Sequence, residues 1–142
     1  MNQTLEQIRS KYAFEKIKEV KGSKFEKEFS SLISKLASLI LTNGLGNTLA
    51  FLFAKGKDQH LRAIYILSDW LINQSPLGSK KLQDLNAKNV KEKAQSILEN
   101  LVLKASVEEY MFYTEESLRL INWLRRYSDA MLEKEENNAS EQ

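Results

Sequence analysis

The segment 39–52, in which two apolar helices meet at Asn43-Gly44, most constrains how this chain can fold. Asparagine and glycine tolerate the left-handed backbone conformation at low cost, so this pair is expected to end the first helix. The second helix is apolar on every side, with Leu45, Leu49, Phe51, Leu52 and Phe53. A helix without a polar face predicts a position in the middle of a helical domain rather than on its surface.

The periodic segments of the sequence all have the helical spacing, and none has the alternation of a strand. Three helix starts carry a capping box, in which serine or threonine is followed three positions later by glutamate or glutamine, at Thr4, Ser23 and Ser106. Asp58 is expected to cap another helix. The sequence therefore predicts an all-α fold, a single compact bundle of about six helices.

The domain organisation follows from length and composition. A chain of 142 residues is long enough for one domain with a substantial core. We expect a single helical domain over residues 1–134, with a surface loop at about 74–87 around the lone Pro76. Residues 135–142 are expected to form a disordered acidic tail.

Several classes of protein are disfavoured by composition. The chain has no cysteine, which indicates a reducing compartment and excludes disulfides and thiolate metal sites. Its first residues are polar, so no signal peptide is expected. The apolar stretches fall short of the about 20 residues that a bilayer requires. We expect a cytoplasmic protein that makes no contact with a membrane.

Catalytic and cofactor sites are not indicated by the sequence. His60 is the one histidine, and it has neither a cysteine nor a second histidine with which to form a dyad or a metal site. The Gly44-x-Gly46 pair does not match a dinucleotide-binding motif, because Leu49 occupies its third small position and no strand precedes it. We therefore expect no enzyme activity, no cofactor and no metal.

The net charge of +2 conceals an asymmetry along the chain. Residues 1–104 have 17 Lys and Arg against 10 Asp and Glu, whereas residues 105–142 have 4 against 9. A basic body with an acidic end is consistent with an anionic partner, with head-to-tail stacking of copies, or simply with solvated helix faces.

Two helices have a second face that a partner could cover. On the last helix, whose expected core stripe begins at Val107, Arg119 and Trp123 fall on another face together with Arg126. This face suits packing inside the domain, a protein contact or stacking on a base. On the helix expected to follow Asp58, the face opposite the core stripe is either sandwiched or an exposed apolar patch. The residues predicted for a subunit interface are Ile66, Trp70, Arg119 and Trp123.

Three motifs together resemble the small all-helical subunit of the Cmr complex, the type III-B CRISPR RNA-guided effector. They are Leu5-Glu6-Gln7-x-Arg9-x-x-Tyr12-Ala13, Asn43-Gly44-Leu45-x-x-Thr48-Leu49-Ala50-Phe51-Leu52 and Asn122-Trp123-Leu124-Arg125-Arg126-Tyr127. Their order and spacing cover nearly the whole chain. The loop at about 74–87 and the helix expected after it, at about 88–103, match least.

The resemblance implies a non-catalytic subunit of an antiviral ribonucleoprotein. In that family, copies of the small subunit stack along the path of guide RNA and target RNA, beside the backbone subunits and the large signalling subunit. Basic surface residues make the RNA contacts there, and the corresponding candidates in this sequence are Arg9, Lys18, Lys21, Lys55, Lys57, Arg125 and Arg126. The alternative is a helical protein–protein adaptor or regulator with no nucleic-acid role.

Overall fold

The computed structural model describes residues 2–74 and 90–135, and every regular element in these ranges is helical. The six α-helices are α1 (Leu5–Val20), α2 (Glu26–Asn43), α3 (Leu45–Lys55), α4 (Asp58–Asp69), α5 (Val90–Leu98) and α6 (Val107–Met131). Wider π-helical turns continue α4 over Trp70–Gln74 and α5 over Glu99–Leu103. The predicted all-α class is confirmed. The predicted loop at 74–87 and tail at 135–142 lie outside the described residues, except for positions 74 and 135.

Two of the three predicted capping boxes are present. The Thr4 hydroxyl accepts the backbone N–H of Gln7 at 3.1 Å, and the Gln7 side chain accepts the N–H of Thr4 at 2.7 Å. Ser106 and Glu109 form the same reciprocal pair at the start of α6. These bonds satisfy backbone donors that the first helical turn leaves unpaired, which explains why both starts could be located from sequence.

The predicted caps of α2 and α4 are wrong. The N-cap of α2 is Phe25, without a side-chain cap, and Ser23 lies outside the helix. The Glu26 carboxylate instead accepts the N–H of Gly22 at 2.8 Å, which ties the preceding turn to α2. Asp58 is the first residue of α4 rather than its cap. Its negative charge is still favourable there because it lies at the positive end of the helix dipole.

Helix α6 packs against both α1 and α2. Helices α2 and α6 run antiparallel, because Ser30 near the start of α2 bonds Ser128 near the end of α6 at 3.2 Å. At the other end, Gly46 just beyond α2 donates its N–H to the Tyr110 hydroxyl at 2.8 Å. Helices α1, α2 and α6 contribute much of the buried apolar core. Their buried side chains include Ala13, Ile17, Val20, Phe29, Leu32, Ile33, Leu36, Ile40, Leu120, Ile121 and Leu124.

Helix α3 is not as central as its composition predicted. Leu45, Leu49 and Leu52 are buried, but Phe51 is 43% exposed and Ala50 also faces solvent. The reason is geometric, since α3 packs on α2, α4 and α5 from one side only. Its outer apolar side chains therefore remain at the surface.

The Gly44-x-Gly46 pair serves helix packing. Gly44 joins α2 to α3 at a φ of 87°, a conformation that residues with a side chain rarely adopt. At Gly46, an added Cβ would lie 2.8 Å from a Val102 methyl carbon and 3.1 Å from the Tyr110 hydroxyl oxygen. The two glycines thus permit a tight turn and a close approach of α3 to the segment around residues 102–110.

Candidate functional site

Arg9, predicted to contact RNA, lies inside the bundle. Its guanidinium makes two hydrogen bonds to the Glu116 carboxylate, at 2.6 and 2.8 Å, and its side chain is only 10% exposed. The Trp70 indole N–H donates to the same carboxylate at 3.2 Å. Burial opposes ionisation of Glu116, but the hydrogen bonds and charge of Arg9 hold its pKa below the usual value. Arg9 is therefore a structural residue, and we remove it from the candidate RNA contacts.

The structure also corrects the interface prediction for Ile66 and Trp70. Both side chains are fully buried within the domain. The Trp70 ring lies 5.2 Å from the ring of Tyr12, whose hydroxyl donates to Asp69 at 2.8 Å. The second apolar face of α4 is therefore covered inside the domain and is not an exposed patch. This face and the π-helical turn that continues α4 pack on α1 and α6. Neither Ile66 nor Trp70 is accessible to a second subunit.

The six remaining candidate cations are exposed, and the topology brings several of them together. The guanidinium of Arg62, at the start of α4, lies 3.6 Å from the carboxylate of Glu19 at the end of α1. The same guanidinium lies over the ring of Phe25, just before α2. The Glu133 N–H, just after α6, donates to Glu26 at 2.7 Å. These contacts place the ends of α1 and α6 and the starts of α2 and α4 at the same end of the bundle.

Exposed lysines lie among acidic residues at this end, and we call these lysines the basic end. It comprises the predicted Lys18, Lys21, Lys55 and Lys57, together with Lys24 and Lys27, which sequence reasoning did not select. Arg125 and Arg126 lie on the outer side of α6, in its last two turns. Lys24 and Lys27 were missed because their location at the same end of the bundle as Lys55 and Lys57 depends on how the helices pack, which no local pattern encodes.

His60 lies beside the basic end at the start of α4. Burial, and then the charges of Lys55 and Lys57, lower the pKa of its imidazole, and its ring stands edge-on to Phe51. The described residues contain no cluster of three or more histidine, aspartate or glutamate side chains suited to a metal ion. Within the same ranges, no helix is both long and apolar enough to traverse a bilayer.

The opposite end of the bundle carries exposed apolar side chains. Leu103, Val107 and Met111 are 73%, 74% and 65% exposed, within and just before the first turns of α6. We call these three residues the apolar end. The prediction that Val107 belongs to the core stripe is wrong, because Val107, the first residue of α6, is exposed to solvent. Glu108 beside them is also exposed.

The remaining predicted interface residues, Arg119 and Trp123, lie on the solvent side of α6. Arg119 pairs with Glu115, one turn earlier, at 3.0 Å. Trp123 is half-buried and stacks on Tyr127, with ring centres 5.9 Å apart and planes at 26°. Trp123 therefore does not belong to the buried core, and part of its ring faces a groove between α1 and α6.

Comparisons with known proteins agree with this architecture. The family model described as CRISPR-associated protein (Cas_Cmr5) matches residues 5–131. The protein named CRISPR system Cmr subunit Cmr5 from Thermus thermophilus is 26% identical over 130 residues, covering 92% of this chain and 97% of its own length. A crystal structure of a CRISPR-associated Cmr5 family protein from the same organism superposes with a TM-score of 0.67 at 24% identity, covering 93% of this chain and 100% of that one. Since the family model spans most of the sequence, the chain belongs to the Cas_Cmr5 family of CRISPR-associated proteins.

Proposed function

We propose that this chain is the non-catalytic small subunit of a type III-B CRISPR (Cmr) effector ribonucleoprotein, acting in antiviral defence in the cytoplasm. The observation that carries the proposal is the family match over residues 5–131. The relative that covers 92% of the chain is named as a Cmr subunit. A non-catalytic role is consistent with a sequence that offers one histidine and no cysteine.

The basic end supports a role in holding guide RNA and target RNA. Its lysines are exposed and project from several helices, so they can meet successive phosphates along a strand. Lysine contacts of this kind contribute affinity without reading sequence, as a subunit that serves many different targets requires. Lys18, Lys21, Lys55 and Lys57, with Arg125 and Arg126 on α6, are the proposed RNA contacts.

The apolar end supports contact with protein. Three large apolar side chains exposed within a few turns form a surface that typically marks an interaction site. Because the apolar end lies at the opposite end of the bundle from the basic end, a protein contact there leaves the basic end open to RNA. We propose that the apolar end meets the next copy or a neighbouring backbone or large signalling subunit, with Arg119 on the adjoining side of α6.

A reconstituted complex tests the RNA contacts. Wild-type chain, a basic-end variant (Lys18→Gln, Lys21→Gln, Lys55→Gln and Lys57→Gln) and a control variant (Lys35→Gln and Lys104→Gln) are each assembled with the other Cmr subunits and guide RNA. Target RNA retention is then measured against salt. We expect the slope of log affinity against log salt to fall by about 0.7 for each phosphate of single-stranded RNA that the variant no longer neutralises. An unchanged slope for the basic-end variant would contradict the RNA role.

The alternative of a protein–protein adaptor without a nucleic-acid role has one observation in its favour, the exposed apolar end. The salt dependence of target RNA retention in the reconstituted complex distinguishes the adaptor from the RNA-binding subunit. An adaptor would enter the assembly normally and leave RNA retention and its salt dependence unaffected by all lysine variants. Failure to assemble on changing Met111, combined with unchanged RNA binding, would be the signature of the adaptor.

A further inference from the structure

The groove between α1 and α6 is a second candidate binding surface, separate from the basic end. It has a volume of about 490 Å³ and is open to solvent along one side. The lining includes Gln7, Ser10, Lys11, Phe14, Trp123 and Tyr127. A volume in this range is typical of sites that take a small molecule or one large side group.

Aromatic rings form the floor of the groove in a fixed arrangement. Trp123 stacks on Tyr127, and Phe14 meets Tyr127 edge-on with ring centres 5.4 Å apart. The Tyr127 hydroxyl is held by Ser10 at 2.6 Å, which fixes the ring between α1 and α6. Phe14 is 42% exposed. The groove therefore offers flat aromatic surface that is already oriented and only partly covered.

Cations lie in and near this groove. Lys11 is one of its lining residues, and Arg126, which does not line it, is exposed one helical turn after Trp123 on α6. Neither forms an ion pair with another residue in the described ranges, whereas Arg119 nearby is paired with Glu115. Glu6 also lines the groove, near its end at the start of α1. Lys11 and Arg126 outnumber the one carboxylate, and both are placed to meet the phosphates that flank a bound base.

We propose that this groove binds an unpaired nucleobase of single-stranded RNA, stacked against Trp123 and Phe14, with the adjoining phosphates at Lys11 and Arg126. Aromatic rings with cations nearby are the features by which proteins bind single strands, and the amide of Gln7 can hydrogen-bond a base edge. A base within a duplex could not enter, because its faces are covered by its neighbours. The inference rests on the proposed RNA role and names a contact within it.

Photocrosslinking tests the placement directly. The complex containing full-length chain is loaded with RNA that carries 4-thiouridine at single positions, irradiated and digested, and the modified peptides are sequenced. The proposal expects adducts on Phe14, Trp123 or Tyr127. Adducts on this chain only around Lys55 and Lys57 would overturn the groove assignment and leave the RNA role intact. The absence of any adduct on this chain would overturn the base contact, and an unchanged salt slope for the basic-end variant would then overturn the RNA role as well.

Affinity measurements separate stacking from charge. Trp123→Leu should weaken binding of the single strand by about 5- to 150-fold, as removal of one base–aromatic stack does, without changing the salt slope. Trp123→Phe should restore most of the affinity. Lys11→Gln and Arg126→Gln should each lower the slope by about 0.7. Phe112→Leu, on the same helix and also half-buried, is the control and should bind RNA as the wild type does.

Two results would refute the stacking contact even if the lysine variants weaken RNA retention. One is wild-type RNA affinity for Trp123→Leu. The other is dissociation of a protein subunit from the Trp123→Leu assembly with RNA affinity preserved, which would make the groove a protein interface. Melting temperatures of all variants, compared with Trp123→Phe, distinguish weakened RNA binding by a folded chain from unfolding of the chain.

Discussion

Replacing Glu116 with glutamine tests how far the buried ion pair between α1 and α6 stabilises the bundle. The carboxylate accepts two hydrogen bonds from Arg9 and one from Trp70, and its side chain is 4% exposed. Glutamine keeps the shape of the Glu116 side chain but removes the counter-charge that is hydrogen-bonded to the buried guanidinium, leaving only the weaker attraction of Glu6. Since removing one partner of a buried pair costs about 3–5 kcal/mol, and the amide oxygen retains part of the bonding, we expect the free energy of unfolding to fall by about 3 kcal/mol.

A decrease of this size is readily measured. Domains of this class have an unfolding free energy of about 5–15 kcal/mol, so the Glu116→Gln variant should remain folded at 25 °C. Its melting temperature should fall by roughly 10 °C. Urea unfolding, followed by circular dichroism and by tryptophan fluorescence, gives the free energy of unfolding from two independent signals.

The neighbouring residue supplies a matched control. Glu115 pairs with Arg119 at 3.0 Å, but these side chains are 69% and 55% exposed. Because exposed pairs one helical turn apart contribute only about 0.3–0.5 kcal/mol, Glu115→Gln should be almost neutral. Equal destabilisation by Glu115→Gln and Glu116→Gln would refute the argument that burial makes the difference.

A double-mutant cycle isolates the pair itself. Arg9→Met and Glu116→Leu should each destabilise the protein strongly, since each leaves one buried charge alone. The double variant should be less destabilised than the sum of the two by at least about 2 kcal/mol, because no unpaired charge remains. Strict additivity would show that the two residues stabilise the protein independently.

Three further predictions concern packing, pH and assembly. Gly46→Ala should destabilise the protein by about 1–3 kcal/mol in urea unfolding, because the new methyl group would crowd Val102, whereas a change under about 0.5 kcal/mol would contradict this. The N–H groups of Glu133 and Gly22 lower the pKa of Glu26, so its contribution to stability is complete above the unfolded pKa of about 4.3 and is lost as pH falls through the folded pKa. Glu26→Gln should therefore reduce the decrease in stability between pH 7 and pH 3, and an unchanged pH profile would count against it. Met111→Lys should leave the melting temperature within about 2 °C, since the side chain is 65% exposed, and should reduce co-purification with the complex; unchanged recovery would exclude the apolar end as an interface.

Helix boundaries could be predicted wherever a local bond or a backbone conformation sets them. Thr4 and Ser106 form their caps with residues three positions away, and Gly44 ends α2 because it adopts a positive φ. The failures at Ser23 and Asp58 show the limit of this reasoning. Near Ser23, the Glu26 carboxylate bonds the N–H groups of Gly22 and Glu133 instead of completing a capping box.

The candidate site was harder to predict because charge and burial are not local properties. Arg9 belongs to the same residue class as Arg126, yet Arg9 is buried and Arg126 is exposed. The difference arises from Glu116, which is 107 positions from Arg9 in the sequence. Ile66 and Trp70 were predicted at an interface but are buried in the domain. The sequence pattern of a second apolar face is the same whether a neighbouring helix or a partner protein covers that face.

The sequence by itself determined the all-α class, the two best-defined helix starts, the turn at Gly44 and the family, because these depend on spacing and on local backbone chemistry. Only the tertiary structure decided which charges are buried, which apolar faces stay exposed and which lysines meet at the basic end. Those outcomes depend on the antiparallel course of α2 against α6 and on the seating of α4 and its π-helical continuation against them. Contacts between residues far apart in the sequence are fixed by the free energy of the whole packed bundle, which no single segment encodes.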